Sequence, residues 1–345
     1  MTATNRTEQG ATRPAGQPRP EGIQAIRDAI LTRQRFLITS HARPDGDSIG
    51  SQLAMAFALD ALGKQVRLVN ADPAPAHYAA FPGLERIEIA PAVDGVYDAL
   101  IVMECGDLKR PGLAGLEGRF TINIDHHVGN AGYGDVNWYD ESAAACSEMV
   151  FELIEALGVP ISPEIAAHTY LAILTDTGSF HHGSMTARTF EIARKCVEAG
   201  VDPSRMARQV FDSSSVGKLK LIGTILERMA LEAGGRVAVL RMSDALLQAA
   251  GATMEDTEGL INMPLTAGTV QAVVMFKTDD GGRVSLRSKG AIDVRSVALK
   301  YGGGGHRNAA GLTLEPADAD AERTLIAEVV QAVERAERPA ETLPG

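Results

Sequence analysis

The chain has 345 residues, a formal net charge of −11 and 45% hydrophobic residues. That length exceeds what one core ordinarily serves, so two domains of a globular protein are expected. The acidic balance argues against a broad surface for long nucleic acid, because neutralisation of phosphates by basic side chains supplies most of that affinity. A small anionic substrate in a local basic pocket stays open.

Residues 1–20, MTATNRTEQGATRPAGQPRP, have no apolar core of a signal sequence and are rich in Thr, Gly, Pro and charge; they are read as a disordered lead-in. Ile23, Ile26, Ile30 and Leu31 have helical spacing within 21–33. RFLITS (35–40) is a short apolar run and reads as a buried strand. A helix follows over 48–63 and stops at Gly63. QVRLVN (65–70), YDALIVME (97–104) and RFTINID (119–125) read as strands, and helices are expected at 142–157, from 163 to about 176, and at 186–199. Strands alternating with helices predict a largely parallel sheet with helices on both faces. After about residue 200 the pattern changes. SSSVGKLKLIGTILERMALEAGG (213–235) reads as one long helix whose beginning connects two domains. Strands at 236–242, 270–278 and 283–288 and helices at 293–301 and about 317–335 make a second, smaller α/β unit. No apolar run reaches the ~18 residues that a membrane span requires. Three widely separated cysteines, Cys105, Cys146 and Cys196, form no CxxC pair and suit a reducing cytoplasm.

The acids and histidines fall at particular places. His41, Asp45 and Asp47 (HARPDGDSIGS) follow the first strand. Glu104 and Asp107 (MECGD) follow the strand at 97–104, and Asp125, His126 and His127 (IDHH) end the strand at 119–125. Asp176 (TDTGSF) ends an apolar helix. Ligands of open parallel sheets bind at the carboxyl ends of the strands, so these segments would share one rim. Alone, HARPDGDS is turn chemistry and IDHH a polar loop; four such pieces at one rim are harder to assign to chance. Mixed carboxylates and imidazoles suit divalent cations, Mn²⁺ foremost. Clustered acids repel unless cations neutralise them. Two cations roughly 3.5–4 Å apart make the usual clamp for phosphate ester hydrolysis, activating a water and stabilising charge on the phosphoryl oxygens.

These four segments, with GGGGHRNAAG (302–311) further on, resemble the DHH phosphoesterase family and its DHH-associated second domain, nearest to its short nanoRNase/pAp phosphatase subgroup, relatives of the RecJ exonuclease core. The resemblance spans residues 22 to about 335. It implies a catalytic domain over 21–205, a helical linker over 206–232 and a substrate-binding domain over 233–340. It implies that His41 and Asp45 hold one cation, that Asp47, His126 and Asp176 hold the other, and that the acid of the second motif bridges them. Mn²⁺ is the expected ion, with Mg²⁺ and Co²⁺ as alternatives. His127 would face the scissile phosphate and Asp125 would orient the histidine pair. Where the family usually has Val-Asp, this chain has Met103-Glu104. The bridge therefore maps to Glu104, one methylene longer, with Asp107 as the alternative.

Between 283 and 307 six basic residues meet a single acid, Asp293. This reversal adjoins four glycines whose backbone N–H groups could cradle an anion. The resemblance implies that Arg287, Ser288, Lys289, Gly304, Gly305, His306 and Asn308 bind the terminal nucleotide or phosphate, and that the cleft between domains places the scissile phosphate over the metals. Aromatics are only 5%, whereas long single strands need stacking surfaces. The expected partners are therefore short RNA oligonucleotides, pAp or dinucleotides, with no long nucleic acid and no membrane; the family pattern admits a homodimer. SFHHGS (179–184) is read as a loop or substrate contact, and His168 as a packed or surface histidine. The expected activity is oligoribonuclease and pAp phosphatase. The alternatives are a cyclic or linear dinucleotide (c-di-AMP or pApA) phosphodiesterase and, prompted by Glu104, a nucleotide sensor with a weakened metal centre.

Overall fold

The structure is a computed structural model that describes residues 21–181, 184–212, 214–257, 259–278 and 281–337. The expected lead-in at 1–20 lies outside the described residues. The chain forms two compact units, residues 1–213 and 214–345.

The first unit is built on six parallel strands: β1 (Arg35–Thr39), β2 (Gln65–Asn70), β3 (Ile87–Ile89), β4 (Ala99–Met103), β5 (Thr121–Asp125) and β6 (Val136–Tyr139). Their order is β3-β2-β1-β4-β5-β6. Every residue of β4 and β5 is buried, which explains why both read as continuous apolar runs rather than alternating ones. The chain leaves β1 toward β2 and returns on its other side as β4. That reversal opens a crevice at the carboxyl ends of β1 and β4.

Among the described residues six α-helices belong to this unit: α1 (Glu21–Leu31), α2 (Gly46–Ala61), α3 (Cys146–Ala156), α4 (Pro163–Asp176), α5 (Ala187–Glu198) and α6 (Pro203–Phe211). They share one core with Phe36, Ile38, Ile101, Met103, Ile122 and Ile124. The parallel sheet is as expected, but among the described residues no helix covers its second face. There Leu37, Val69, Leu100 and Val102 pack against Val93, Leu113 and Leu116, from stretches without helix. Pro111 and the left-handed Gly112, Gly115 and Gly118 break up the β4–β5 connection before a helix can form.

Two helix termini matter for function. Asp45 caps α2 by accepting from the Ser48 N–H at 3.0 Å. Ser162 and Pro163 start α4, which runs on to Asp176. The helices α2 and α4 cross closely at Gly46 and Gly50. A Cβ at Gly46 would lie 2.4 Å from Thr175 Oγ1, and one at Gly50 would lie 2.5 Å from the His168 carbonyl oxygen. The start of α2 therefore meets the end of α4, which brings Asp47 to Asp176.

In the second unit the sheet order is β11-β12-β10-β9-β8-β7. The strands are β7 (Ala230–Glu232), β8 (Val237–Met242), β9 (Ala272–Lys277), β10 (Arg283–Ser288), β11 (Gly304–His306) and β12 (Ala309–Thr313). β8 and β9 are parallel and the other pairs antiparallel. Helices α9 (Val294–Leu299) and α10 (Ala319–Glu337) cover one face, over Val239, Val274 and Leu286. Helices α7 (Val216–Glu227) and α8 (Asp244–Ala250) cover the other, over Leu240 and Val273. The long helix expected over 213–235 is not formed. Helix α7 ends at Glu227, and β7 then pairs antiparallel with β8 through a tight turn. Ala233, Gly234 and Gly235 all take positive φ there. The Gly-Gly pair was a hairpin signal inside an otherwise helical pattern.

Candidate metal centre

The connections after β1, β4 and β5 and the last turn of α4 bring their acids and histidines together. His126 Nε2 lies 3.4 Å from Glu104 Oε1, 3.7 Å from Asp47 Oδ2 and 3.7 Å from Asp176 Oδ2. Among the described residues two groups could hold a cation: Asp47, His126 and Asp176, and Glu104, His126 and His127. The ligand atoms within each group lie within 4.8 Å of one another. His41 and Asp45 form an adjoining pair, with Nε2 and Oδ2 3.7 Å apart. Glu104, His126 and His127 thus link the pieces that the four motifs contribute.

Backbone contacts aim these side chains. The Ala143 carbonyl lies 3.1 Å from His126 Nδ1, so Nδ1–H donates there and Nε2 turns to the carboxylates. Asp47 is buried and accepts from the N–H groups of Cys146 (2.6 Å) and Ser147 (3.2 Å) and from Ser51 Oγ (2.9 Å). Ala145, at the N-cap of α3, offers no side-chain cap. Asp47 caps α3 from another helix, at the positive end of its dipole. Asp125 Oδ1 accepts from His127 Nδ1 at 2.9 Å and fixes that ring. Its Oδ2 accepts from Asn130 Nδ2 at 2.6 Å, and Asn130 also donates to Asn123 Oδ1. Asn123 in turn donates to the carbonyls of Val102 and Cys105. Asn123 and Asn130 were not singled out from the sequence, although a polar residue inside the apolar strand TINID was a signal.

Glu104 is 1% exposed and stands at φ +59° immediately after β4. A left-handed conformation at a residue other than glycine costs about 1–3 kcal/mol and persists where surrounding structure enforces it. Oε1 of this carboxylate is buried, and beyond the His126 Nε2 ion-pair contact at 3.4 Å it has no well-formed hydrogen bond. Burial, and then repulsion from Asp47, push Glu104 well above the ordinary carboxylate range. Burial and Asp47 raise Asp176 to about 7, and burial raises Asp47. Burial alone would lower His126, but Glu104, Asp47 and Asp176 outweigh it and lift the imidazole to about 11. Burial also opposes the Asp45 and Asp125 carboxylates. His41 and the Ser48 N–H hold Asp45 below the ordinary range, and His127 and Asn130 do the same for Asp125. The centre is a crowded set of oxygen and nitrogen donors, one of them a buried carboxylate oxygen without a well-formed hydrogen bond. Divalent cations fit that donor set and would replace the protons it otherwise retains.

Asp107 is exposed and accepts from the Lys109 N–H at 2.6 Å, as a turn residue. The Cys105 and Cys146 thiols are buried and pushed up by burial, as small apolar residues would be. His168 is a packed histidine, as expected: it is fully buried, held at 2.7 Å by the Pro82 carbonyl, and lowered by burial to about 4. Within SFHHGS, His182 and Gly183 lie outside the described residues.

In the second unit Ser288 and Asn308 are occupied internally. Asn308 Nδ2 donates to Ser288 Oγ (2.9 Å), Ile292 O (3.0 Å) and Gly290 O (3.1 Å). Ser288 Oγ donates to Ile292 O at 2.8 Å, and Lys289 Nζ to Ala267 O at 3.0 Å. Arg287 is half-buried, and burial lowers its guanidinium. Lys300 is paired with Glu328 of α10 at 2.9 Å, so part of the basic run is a helix-pairing surface. Gly304 has open space around it, but a Cβ at Gly305 (φ +133°) would lie 2.4 Å from Ala309 O. The glycines thus admit the close β11–β12 hairpin. The side chain of His306 lies outside the described residues.

Two family models match: the DHH family N-terminal domain over residues 35–173 and the DHHA1 domain over 234–335. The chain is similar to the bifunctional oligoribonuclease and PAP phosphatase NrnA of Thermus thermophilus, with 36% identity over 85% of this chain and 88% of that one. It is similar in structure to an exopolyphosphatase-related protein of Bacteroides fragilis (TM-score 0.83, 25% identity, 91% of this chain and 97% of that one). It shares its fold with Thermus thermophilus RecJ in complex with Mn²⁺ (TM-score 0.54, 14% identity, 94% of this chain and 56% of that one).

Proposed function

The chain belongs to the DHH family, a DHH N-terminal domain followed by a DHHA1 domain, and on that premise we propose that it degrades short RNA oligonucleotides to mononucleotides and removes the 3′-phosphate of pAp. The similar protein of Thermus thermophilus bears the name of both activities. The observation that carries the reading is the cluster of Asp47, Glu104, His126 and Asp176, in which the two buried carboxylates of Asp47 and Glu104 meet one imidazole and a partly exposed third acid.

His41 and Asp45 are the residues proposed for one cation and Asp47, His126 and Asp176 for the other, with Glu104 between them. The placement of Asp107 in an exposed turn supports Glu104 as that bridge. Mn²⁺ is the proposed ion, because the donor set mixes imidazole with carboxylate. When bound, the cations supply Lewis acidity toward the phosphoryl oxygens and a water made acidic enough to attack. The Ala143 carbonyl holds the Nδ1 proton of His126 and presents Nε2 to the carboxylates. Asp125 accepts a hydrogen bond from His127 Nδ1 and so fixes its ring, which supports His127, in its imidazolium form, as the donor to the scissile phosphate. In the second unit Arg287 is a proposed substrate contact, its guanidinium donating to the carbonyl of Leu286 at 3.0 Å, whereas Ser288 and Asn308 lace their own turn. A cytoplasmic setting is part of the proposal. It is supported by three buried free cysteines and by the lack, among the described residues, of a helix long and apolar enough to cross a membrane.

The test is a substrate panel of pAp, pApA, c-di-AMP and RNA of two to five nucleotides. The expected result is release of phosphate from pAp and of AMP from pApA with Mn²⁺, and none in EDTA. Turnover of c-di-AMP alone would point to a dinucleotide phosphodiesterase instead. Tight pAp binding with no turnover would point to a sensor. No turnover and no binding with any divalent metal would overturn the reading.

A further inference from the structure

Helix α5 presents Arg188 beside the loop that joins β6 to α3. Arg188 Nη1 lies 2.8 Å from Asp140 Oδ2, and its Nε lies 3.0 Å from Glu152 Oε1 and 3.6 Å from Glu148 Oε2. Glu148 is completely buried, and its Oε2 accepts from the Ala144 N–H at 3.3 Å. Asp140 Oδ1 accepts from the Ser142 N–H at 3.1 Å. One guanidinium therefore fastens both ends of the 140–147 loop. A buried carboxylate facing a cation on one side and a backbone donor on the other is expensive to disturb, because removing one partner leaves the other buried and unmatched.

This loop meets the two ligand candidates His126 and Asp47 through its backbone. Its Ala143 carbonyl meets His126 Nδ1, and the Cys146 and Ser147 amides meet both oxygens of Asp47. These two side chains share the cluster with Asp176.

We propose that Arg188, Glu148 and Asp140 are positioning residues for the metal centre, acting through the 140–147 backbone on His126 and Asp47. The inference rests on the metal-centre reading above. It adds that cation affinity depends on an ion-pair network that contributes no ligand. Partners of this kind, one step removed from a metal, typically change affinity by about 10–100-fold when altered.

The test uses the full chain and the variants Glu148→Gln, Arg188→Lys and Asp140→Asn. Arg188→Lys keeps the charge but not the planar fork that reaches Asp140 and α3 together, so it should not rescue. Asp140 is partly exposed, so Asp140→Asn supplies a folded variant if Glu148→Gln is unstable. Mn²⁺ affinity is measured by calorimetry, and hydrogen exchange at the Cys146 amide is measured in EDTA. The expected result is Mn²⁺ binding weakened about tenfold or more, with faster Cys146 exchange. Excess Mn²⁺ should restore kcat while KM for pAp stays unchanged. Wild-type Mn²⁺ affinity and wild-type Cys146 protection in variants of lowered thermal stability would overturn the proposal and leave the network a plain structural staple. A wild-type protein that binds no divalent cation would overturn the metal-centre reading itself. In that case the exchange measurement still decides whether the network orders the loop.

Discussion

Replacing Gly50 with alanine tests whether the close crossing of α2 and α4 builds the site. The added Cβ would lie 2.5 Å from the His168 carbonyl oxygen and 2.9 Å from the Ala172 Cβ. The first distance is about 0.9 Å short of ordinary contact. The obstruction is helix backbone in a packed core, so α4 must shift as a body. Overpacking of this kind costs about 1–3 kcal/mol, offset by about 1 kcal/mol because alanine is the better helix former. A net loss of about 0–2 kcal/mol remains, which lowers Tm by up to several degrees. Asp176 lies one turn beyond Ala172 and moves with it, away from Asp47. Misplacing a catalytic group by about 1 Å can cost roughly 100-fold in rate. The assay is kcat/KM on pAp with saturating Mn²⁺, alongside Tm. Gly223→Ala in α7 is the control, because a Cβ there meets nothing within 4 Å; it should stabilise by about 0.5–1 kcal/mol and leave activity intact. If Gly50→Ala kept wild-type turnover and wild-type stability, the crossing could not be what sets the Asp47–Asp176 spacing.

Glu104→Gln removes a charge that burial and Asp47 both disfavour. The variant should melt higher than wild type in EDTA at pH 8 and lose the rise in Tm that Mn²⁺ gives wild type; an equal Mn²⁺ response in both would remove Glu104 from the site. In the metal-free protein Asp176 is raised to about 7 and His126 to about 11. Both folded values exceed the unfolded ones, near 3.9 and 6.5. Their stabilising contribution is therefore complete at low pH and is lost as pH rises through the folded values, first that of Asp176 between about pH 4 and 7. Cations that replace those protons should widen the Tm gap between Mn²⁺ and EDTA from pH 5 to pH 8, and a gap independent of pH would contradict the assignment. Asn308→Ala removes the donor to Ser288, Gly290 and Ile292. It should destabilise the second unit by about 1–3 kcal/mol with Mn²⁺ affinity unchanged; a raised KM with no loss of stability would make Asn308 a substrate contact instead.

Much of the first unit was legible because each signal was local. QVRLVN and the Pro163 helix start were read at their observed bounds, and the strands of the sheet centre stood out as apolar runs. β3 and β6 were not read, being three and four residues long and only partly buried. The turn at Ala233–Gly235 was hidden in a helical spacing because strand pairing with β8, a tertiary contact, decides it. Acids and histidines could be placed on one rim from strand ends alone. What aims them could not, since the Ala143 carbonyl, the α3 amides at Asp47 and the α2–α4 crossing join residues distant in sequence. The tetraglycine was read for anion binding, while much of its need for glycine comes from the backbone of its own hairpin.

The most direct test is anomalous diffraction from crystals of the protein loaded with Mn²⁺. Two peaks roughly 3.5–4 Å apart are expected within the cluster, both in contact with Glu104, one beside His41 and Asp45 and the other beside Asp47, His126 and Asp176. A single peak, or two peaks joined by Asp107 with Glu104 in contact with neither, would contradict the two-cation centre described for this chain.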